Sequence, residues 1–143
     1  MTIAVDFDGT IVEHQYPAIG KERPFATATL RKLIEDGHKL ILWSVREGEL
    51  LDEAIQWCAE RGVTFHAANQ NFDEDQQGET TETNKAFSRK LKVSLFIDDR
   101  NLGGLPDWGV IYQLISRRIS YEQYLREQIL GTSQTKKKHW WQR

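Results

Sequence analysis

The chain has 143 residues, which is enough for one sizeable hydrophobic core and too few for two. Its net charge of −2 gives no reason to expect nucleic-acid or membrane binding over the whole chain, and its single cysteine, Cys58, excludes an intrachain disulfide. The sequence has no signal peptide pattern and no apolar run near the roughly 20 residues of a membrane span, so we expect a cytoplasmic protein.

Short apolar segments alternate with helical segments along the chain. Compact apolar runs rich in β-branched residues predict strands, and apolar residues three and four positions apart predict helices. The predicted strands are, in chain order, Thr2–Val5, 38–44, 63–67, 93–99 and 110–114. The predicted helices are 26–36, 47–61, 85–91 and 120–130, with Gly37 and Gly62 ending the first two and Ser120 as a possible N-cap of the last.

This alternation is typical of βαβ units, whose parallel strands are covered by helices on both faces of the sheet. We therefore predict an α/β fold: a single Rossmann-like three-layer α/β/α domain, residues 1–130, with a mostly parallel five-stranded sheet. The polar, acidic segment 69–84 has no periodicity and is predicted to be a loop. Residues 131–143, which end in KKKHWWQR, are predicted to form a flexible tail, with contact to a partner subunit or nucleic acid as the alternative.

Polar side chains end three of the predicted strands. The first strand runs into Asp6 and Asp8, the second ends in Ser44, and the fourth ends in Asp98 and Asp99. In parallel sheets, ligands bind beyond the carboxyl ends of the strands. If the first and fourth strands are neighbours, four carboxylates come within a few ångströms of one another, which is costly unless a cation joins them or they share protons.

Oxygen ligands without histidine or cysteine suit Mg²⁺ best, so the sequence predicts a magnesium site at this edge of the sheet. A divalent cation beside a free carboxylate suits phosphoryl transfer, because the cation offsets the charge of the phosphate. One carboxylate can then attack phosphorus, while a second carboxyl group protonates the leaving oxygen and later activates water.

The motifs themselves resemble those of the haloacid dehalogenase (HAD) superfamily of phosphatases. TIAVDFDGT is similar to the family's first motif, an apolar strand followed by DxDGT, and FIDD after a later strand is similar to its last motif. The resemblance covers about residues 2–114. The segment IDDRNLGGLPDWG further resembles a small capless branch of bacterial and phage hydrolases.

The resemblance implies a role for each motif residue. Asp6 would be the nucleophile and a metal ligand, and Asp8 the general acid/base, whose backbone carbonyl also binds the metal. Asp98 would anchor the metal, and Asp99 would bind it directly or through water. Ser44 would bind the transferred phosphoryl group. The turn at Gly9 and Thr10 follows the nucleophile, and its backbone N–H groups could also reach phosphate oxygens.

The family also places a lysine before the last strand, where its ammonium group pairs with the nucleophile and the phosphate. Lys85, Lys90 and Lys92 compete for this role. Lys90 is preferred because it lies eight residues before Asp98, although KLKVSLFIDD lacks the proline of the family segment, which leaves Lys85 as the main alternative.

Several neighbouring residues have open roles. Arg46 could pair with Glu47 or Glu49 on a solvated helix face, or bind a substrate phosphate or leaving group. Arg100 and Asn101 are expected to orient Asp98 or Asp99 rather than to contact substrate. His14 could line the pocket. The acidic residues at positions 73–75 lack the spacing of a calcium loop.

The gaps between the motifs are too short for a large cap domain, so the site is expected to be comparatively open. An open site suits a bulky phosphorylated substrate, or a small one if a partner subunit in a homo-oligomer covers the pocket. The leading hypothesis is therefore a Mg²⁺-dependent phosphomonoesterase. The alternatives are a HAD-like phosphate-binding or regulatory domain with little turnover, and a metal-dependent nuclease, against which DxDGT argues.

Overall fold

A computed structural model describes the backbone of residues 1–70 and 91–141, and the side chains of residues 1–70 and 91–131. The described elements are, in chain order, β1 (Thr2–Val5), α1 (Ala26–Glu35), β2 (Lys39–Leu42), α2 (Gly48–Glu60), β3 (Ala67–Ala68), β4 (Leu95–Ile97), α3 (Trp108–Arg117) and α4 (Tyr121–Trp141). The chain divides into two compact units, Met1–Pro106 and Asp107–Arg143. The fold is α/β, with a parallel sheet of four strands and four helices within these described residues.

The first unit contains the sheet, whose strand order is β3-β2-β1-β4. β1 pairs in parallel with β2 on one side, with Val5 opposite Leu42, and with β4 on the other side, with Val5 opposite Ile97. The chain therefore moves outward from β1 to β2 and β3, and then returns to the other side of β1 as β4. The change of direction lies between β1 and β4, which is where parallel α/β sheets open a crevice for ligands.

The two central strands are apolar because both of their faces are covered. All of Ile3–Val5 and Leu40–Leu42 are at most 1% exposed, as expected for inner strands of a parallel sheet. Leu30 and Leu33 of α1 and Ala54 and Cys58 of α2 are buried as well, at the spacing of one helix face. Burial raises the pKa of the Cys58 thiol to about 12, as expected for a cysteine that packs in the core.

Helix α1 is capped at its start by the side chain of Glu22, which lies shortly before the helix. The residue before it, Phe25, makes no side-chain cap, and the Glu22 carboxylate instead accepts hydrogen bonds from the Thr27 backbone N–H and hydroxyl. A carboxylate at this position satisfies a free N–H group and complements the positive end of the helix dipole. Gly37 follows the helix with φ of 90°, a left-handed conformation that favours glycine and ends the helix as predicted.

The second unit consists of α3 and α4. Trp108, Ile111 and Ile115 of α3 are buried, and they are spaced three and four residues apart, which is the period of a helix. The predicted fifth strand at 110–114 is therefore wrong, because a short apolar run fits a strand and a buried helix face equally well and only the longer context separates them. Ser120 Oγ accepts a hydrogen bond from the Gln123 N–H at 3.1 Å, which confirms Ser120 as the N-cap of α4.

Two other boundaries differ from the sequence prediction. Strand pairing in β3 begins only at Ala67, and Val63, where the strand was predicted to begin, instead donates its N–H to Cys58 O in the turn after α2. Helix α4 continues beyond Leu130 to Trp141, where the sequence predicted a tail, since one glycine inside a helix costs only about 1 kcal/mol. Residues 85–90 of the predicted helix and 71–84 of the predicted loop lie outside the described residues. In the described ranges, no helix combines the length and the apolar character of a membrane span.

Candidate active site

Three carboxylates meet at the carboxyl ends of β1 and β4. Asp6 directly follows β1 and is held against β4 by a hydrogen bond from its N–H to Ile97 O at 2.9 Å. Asp98 and Asp99 directly follow β4, so the parallel pairing of the two strands places all three residues at the same sheet edge. Oxygens of Asp6, Asp98 and Asp99 lie within 4.8 Å of one another. This acidic cluster lies at the switch point of the sheet.

The cluster carries more negative charge than its surroundings offset. Burial, followed by the charge of Asp98, raises the pKa of Asp6 to about 7. At Asp99 burial acts in the same direction, but hydrogen bonds from His14, Asp6 and Thr10 outweigh it and lower the pKa of this carboxyl. A proton shared towards Asp6, or a cation among the three residues, would relieve the repulsion.

Thr10 and His14 support the cluster from the loop after β1. Thr10 is fully buried, and its hydroxyl lies 3.0 Å from Asp6 Oδ2 and 3.2 Å from Asp99 Oδ1. The hydroxyl has one proton, so it donates to one carboxylate at a time, and it also accepts the Asp99 N–H at 3.0 Å. His14 Nε2 lies 3.1 Å from Asp99 Oδ2. His14 therefore lies beside the cluster, where the sequence allowed for a pocket residue.

The turn after Asp6 is closed by its own backbone. Gly9 N–H donates to Val12 O at 2.7 Å and Thr10 N–H donates to Phe7 O at 3.2 Å, so both N–H groups that the sequence offered to a phosphate already have partners. Gly9 has φ of 84°, and a side chain there would collide with the His14 ring and the Asp99 carboxylate. Glycine is therefore required both for the turn and for the close approach to the cluster.

Asp8 lies outside the cluster and forms a buried ion pair with Arg46. Arg46 Nε donates to Asp8 Oδ2 at 2.7 Å and a terminal nitrogen donates to Asp8 Oδ1 at 2.8 Å, so both carboxylate oxygens are bound in a bidentate fork. Asp8 is 6% exposed and Arg46 is fully buried. The sequence expected four carboxylates close together, but the regular strand ends at Val5, so the alternation that would place Asp6 and Asp8 on one face ends there too.

Arg46 was predicted either to lie on a solvated helix face or to bind phosphate, and the first of these readings is wrong. Its hydrogen bonds to Asp8 raise the pKa of its guanidinium further, despite the opposing effect of burial. No periodicity or spacing rule links positions 8 and 46, because the contact depends on how the loops after β1 and β2 fold over one another. Position 46 follows a strand that ends at the ligand edge, and that was the one signal for a role at the site.

Ser44 lies in the turn after β2 and is positioned by Asn69. Ser44 N–H donates to Asn69 Oδ1 at 2.8 Å, and Asn69 Nδ2 donates to Arg46 O at 3.1 Å, so one side chain holds both ends of the turn. The Ser44 hydroxyl oxygen accepts the Arg46 N–H at 3.1 Å. Sequence reasoning missed Asn69, which it assigned to a loop. Asn69 has φ of 56°, a conformation that asparagine tolerates better than most residues.

The remaining predicted residues divide between the acidic cluster and the part of the chain that is not described. Arg100 N–H donates to Asp98 Oδ1 at 2.8 Å, and Asn101 Nδ2 donates to Asp98 O at 2.8 Å. These contacts agree with the expectation that both residues orient Asp98, Arg100 through its backbone. Lys85 and Lys90 lie outside the described residues.

The donor set of the acidic cluster fits a hard divalent cation. It offers three carboxylate oxygens at mutual distances that one ion can span, and it contains neither sulfur nor nitrogen. Burial, followed by the charge of Asp98, raises the pKa of Asp6, and a bound cation would oppose both effects by favouring the ionised carboxylate. Asp6, Asp98 and Asp99 could therefore hold Mg²⁺, while the carboxylate of Asp8 is occupied by Arg46.

The fold and this cluster define an α/β protein with an acidic site at the switch point of a parallel sheet. The chain is 61% identical to a conserved protein from Bacteroides thetaiotaomicron, and the match covers 85% of this chain and 94% of that one, with a TM-score of 0.74 between the two structures. The chain therefore belongs to the same family as that conserved protein. No protein-family model and no curated protein matches the chain.

Proposed function

We propose that the protein is a Mg²⁺-dependent phosphohydrolase of the HAD type, a phosphomonoesterase that acts through an aspartyl phosphate at Asp6. The observation that carries the proposal is the meeting of Asp6, Asp98 and Asp99 at the switch point, in a chain whose first strand ends in DFDGT. An acidic cluster alone is common. Here, each of its members also occupies a motif position of the resembled family.

The proposed reaction has two displacements at phosphorus. Asp6 Oδ attacks the phosphomonoester, the bond from phosphorus to the leaving oxygen breaks, and Asp8 gives that oxygen a proton. Asp8 then takes a proton from water as the water oxygen attacks the aspartyl phosphate, which releases inorganic phosphate and restores Asp6. Bound Mg²⁺ would supply charge compensation between the nucleophile and the phosphate. The Ser44 hydroxyl would hold the transferred group, and Lys90, or Lys85, would add a positive charge.

The proposal extends to features that follow from the family resemblance. It includes a three-layer α/β/α arrangement around the observed parallel sheet, and a cytoplasmic location, for which the single buried cysteine is the supporting observation. The proposal also includes a phosphorylated substrate and a homo-oligomer in which a partner subunit covers the open site.

The direct test is an assay of wild-type protein and Asp6→Asn on a panel of phosphomonoesters with and without Mg²⁺. We expect wild-type turnover to require Mg²⁺. The turnover rate of Asp6→Asn should be lower than that of wild type by about a thousandfold or more, as for loss of a nucleophile. Asp52→Asn is the matched control, because it removes an exposed carboxylate from α2, outside the acidic cluster. Equal rates for wild type and Asp6→Asn, or rates independent of Mg²⁺, would exclude the proposal.

One observation favours a second candidate, a phosphate-binding or regulatory domain with little turnover. Both oxygens of Asp8 accept hydrogen bonds from the buried Arg46, so proton transfer by Asp8 requires that one of these bonds be exchanged for one to substrate or water. If that exchange is rare, phosphate ligands would bind and not turn over. Tight phosphate binding measured by calorimetry, with no product from the whole panel, would identify this candidate.

A further inference from the structure

Arg46 uses its guanidinium to join the loop after β1 to the turn after β2. Besides the two bonds to Asp8, the terminal nitrogens donate to Pro17 O at 3.0 Å and to Ala18 O at 2.9 Å. Four of the hydrogen bonds that this side chain can donate are therefore made to the loop after β1, while its backbone belongs to the turn after β2. Arginine suits this position because its planar fork binds a carboxylate bidentately and still has donors left.

The guanidinium also lies between two aromatic rings. Its central carbon is 5.2 Å from the centroid of Phe7 and 5.3 Å from that of Tyr16. Phe7 is fully buried and packs edge-on against Trp57, with ring centroids 5.7 Å apart, whereas Tyr16 is half exposed. The rings favour the cation and keep water from it, so Arg46 is held in one place and Asp8 with it.

The charge arrangement of the two neighbouring aspartates is asymmetric. Asp6 shares the acidic cluster with Asp98 and Asp99. Asp8, two residues after Asp6, is neutralised by Arg46. Without the guanidinium, Asp8 would carry an unbalanced negative charge two residues along the chain from Asp6. A divalent cation held by the acidic cluster would attract this charge, and the two oxygens released by Arg46 would be able to turn towards the cation.

We propose that Arg46 is a positioning residue that keeps both oxygens of Asp8 out of the cation site. The inference rests on the proposed function for the role of Asp8, and it adds a function for Arg46 that the motif resemblance does not supply. An ion pair too far from the cation site to influence it would stabilise the fold and leave cation affinity unchanged or lower when it is broken. The proposed role predicts the opposite sign: removing the Arg46 charge strengthens cation binding.

The experiment is a titration of Mg²⁺ by calorimetry into the full chain, with variants that change the pair one charge at a time. Arg46→Gln leaves Asp8 unbalanced and should tighten Mg²⁺ binding by about three- to tenfold, the size of effect that one unit charge has over several ångströms of partly solvated protein. Asp8→Asn leaves Arg46 unbalanced and should weaken binding by a similar factor. The double variant restores neutrality and should return to within about twofold of wild type.

Two further variants separate charge from shape. Arg46→Lys keeps the charge and loses the bidentate fork, which releases one oxygen of Asp8. Its Mg²⁺ affinity should therefore rise by about twofold or more, where an effect of charge alone would leave it unchanged, and turnover should fall by about tenfold or more. Arg61→Gln is the matched control, because Arg61 is another arginine that stacks on an aromatic ring, with its central carbon 3.6 Å from the Trp57 ring centroid. It should change neither Mg²⁺ affinity nor turnover by more than about twofold.

The outcomes distinguish this inference from the proposed function. Unchanged or weaker Mg²⁺ binding by folded Arg46→Gln would overturn it, and so would equal affinities of Asp8→Asn and the double variant, a comparison that remains if Arg46→Gln does not fold. If wild type binds Mg²⁺ and hydrolyses nothing, the proposed function fails while the affinities still decide the role of Arg46. If wild type binds no Mg²⁺, both fail.

Discussion

The acidic cluster and the Asp8–Arg46 pair place aspartates from one short stretch of chain, VDFDGT, in opposite surroundings. Asp6 shares its site with two other carboxylates, and its pKa rises to about 7. Asp8 is more deeply buried than Asp6, yet each of its oxygens accepts a charge-assisted hydrogen bond shorter than 3 Å. The first region holds unbalanced charge at a ligand edge, and the second holds balanced charge inside the fold.

The difference shows that burial alone does not decide how the charge of a carboxylate is balanced. What distinguishes the two residues is the sign of the nearest charge: like charges surround Asp6, and an opposite charge holds Asp8. A region with unbalanced negative charge is stabilised when a cation binds. A region with balanced charge is destabilised when one of its two charges is removed. Each of the following experiments tests one side of this contrast.

The largest effect on stability is expected from removing one partner of the pair. Asp8→Asn leaves the fully buried guanidinium of Arg46 without its counter-charge and should lower the free energy of unfolding by about 3 to 5 kcal/mol. The isosteric change in the cluster, Asp98→Asn, removes a repulsion with Asp6 and should raise that free energy by about 0.5 to 1 kcal/mol without Mg²⁺. Urea unfolding at pH 8 measures both.

Asp52→Asn, on the exposed face of α2, is the control for loss of any carboxylate and should change the free energy of unfolding by less than about 0.5 kcal/mol. The contrast between the regions would be wrong if Asp8→Asn and Asp98→Asn destabilised the protein equally.

The pH dependence of stability should separate the regions next. The pKa of Asp6 is raised in the folded state, so the folded protein binds this proton more tightly than the unfolded chain does. The free energy of unfolding should therefore fall as the pH rises from about 4 to about 7, by roughly 2 kcal/mol, after allowing for solvent and for the charge that the cluster shares. The pKa of Asp99 is lowered in the folded state, so the stability that this carboxylate contributes is lost only as the pH falls below this range.

The measurement is the difference between wild type and Asp6→Asn in urea unfolding at several pH values from 4 to 8, because the difference removes the contributions of the four histidines. Asp6→Asn should lack the Asp6 part of the slope. A constant difference across this range would mean that Asp6 titrates normally and that the cluster carries no excess charge.

The sequence predicted the acidic cluster better than the pair, for a physical reason. Carboxylates that follow neighbouring parallel strands must meet at one edge, so Asp6, Asp98 and Asp99 could be placed together from strand ends alone. The bond from Arg46 to Asp8 depends on two loops folding over each other, and loops have no period to read. The same limit explains the assignment of 110–114 to a strand, since a run of five residues is shorter than the context that distinguishes a helix from a strand.

The smallest effect on stability is expected at the rim of the cluster, from His14→Gln. His14 Nε2 lies 3.1 Å from Asp99 Oδ2, and its side chain is 50% exposed, so solvent screens the contact and its loss should change the free energy of unfolding by less than about 0.5 kcal/mol. Mg²⁺ affinity should fall by about tenfold all the same, because His14 orients an oxygen of a proposed ligand.

Calorimetric titration of Mg²⁺ into His14→Gln checks this difference between a small structural effect and a larger binding effect. His66→Gln is the control, since it removes another exposed histidine from outside the cluster and should leave the affinity unchanged. A fall in affinity as large as that of Asp98→Asn would make His14 a ligand in its own right. No fall would mean that Thr10, which bonds the other oxygen of Asp99, is sufficient to orient that carboxylate.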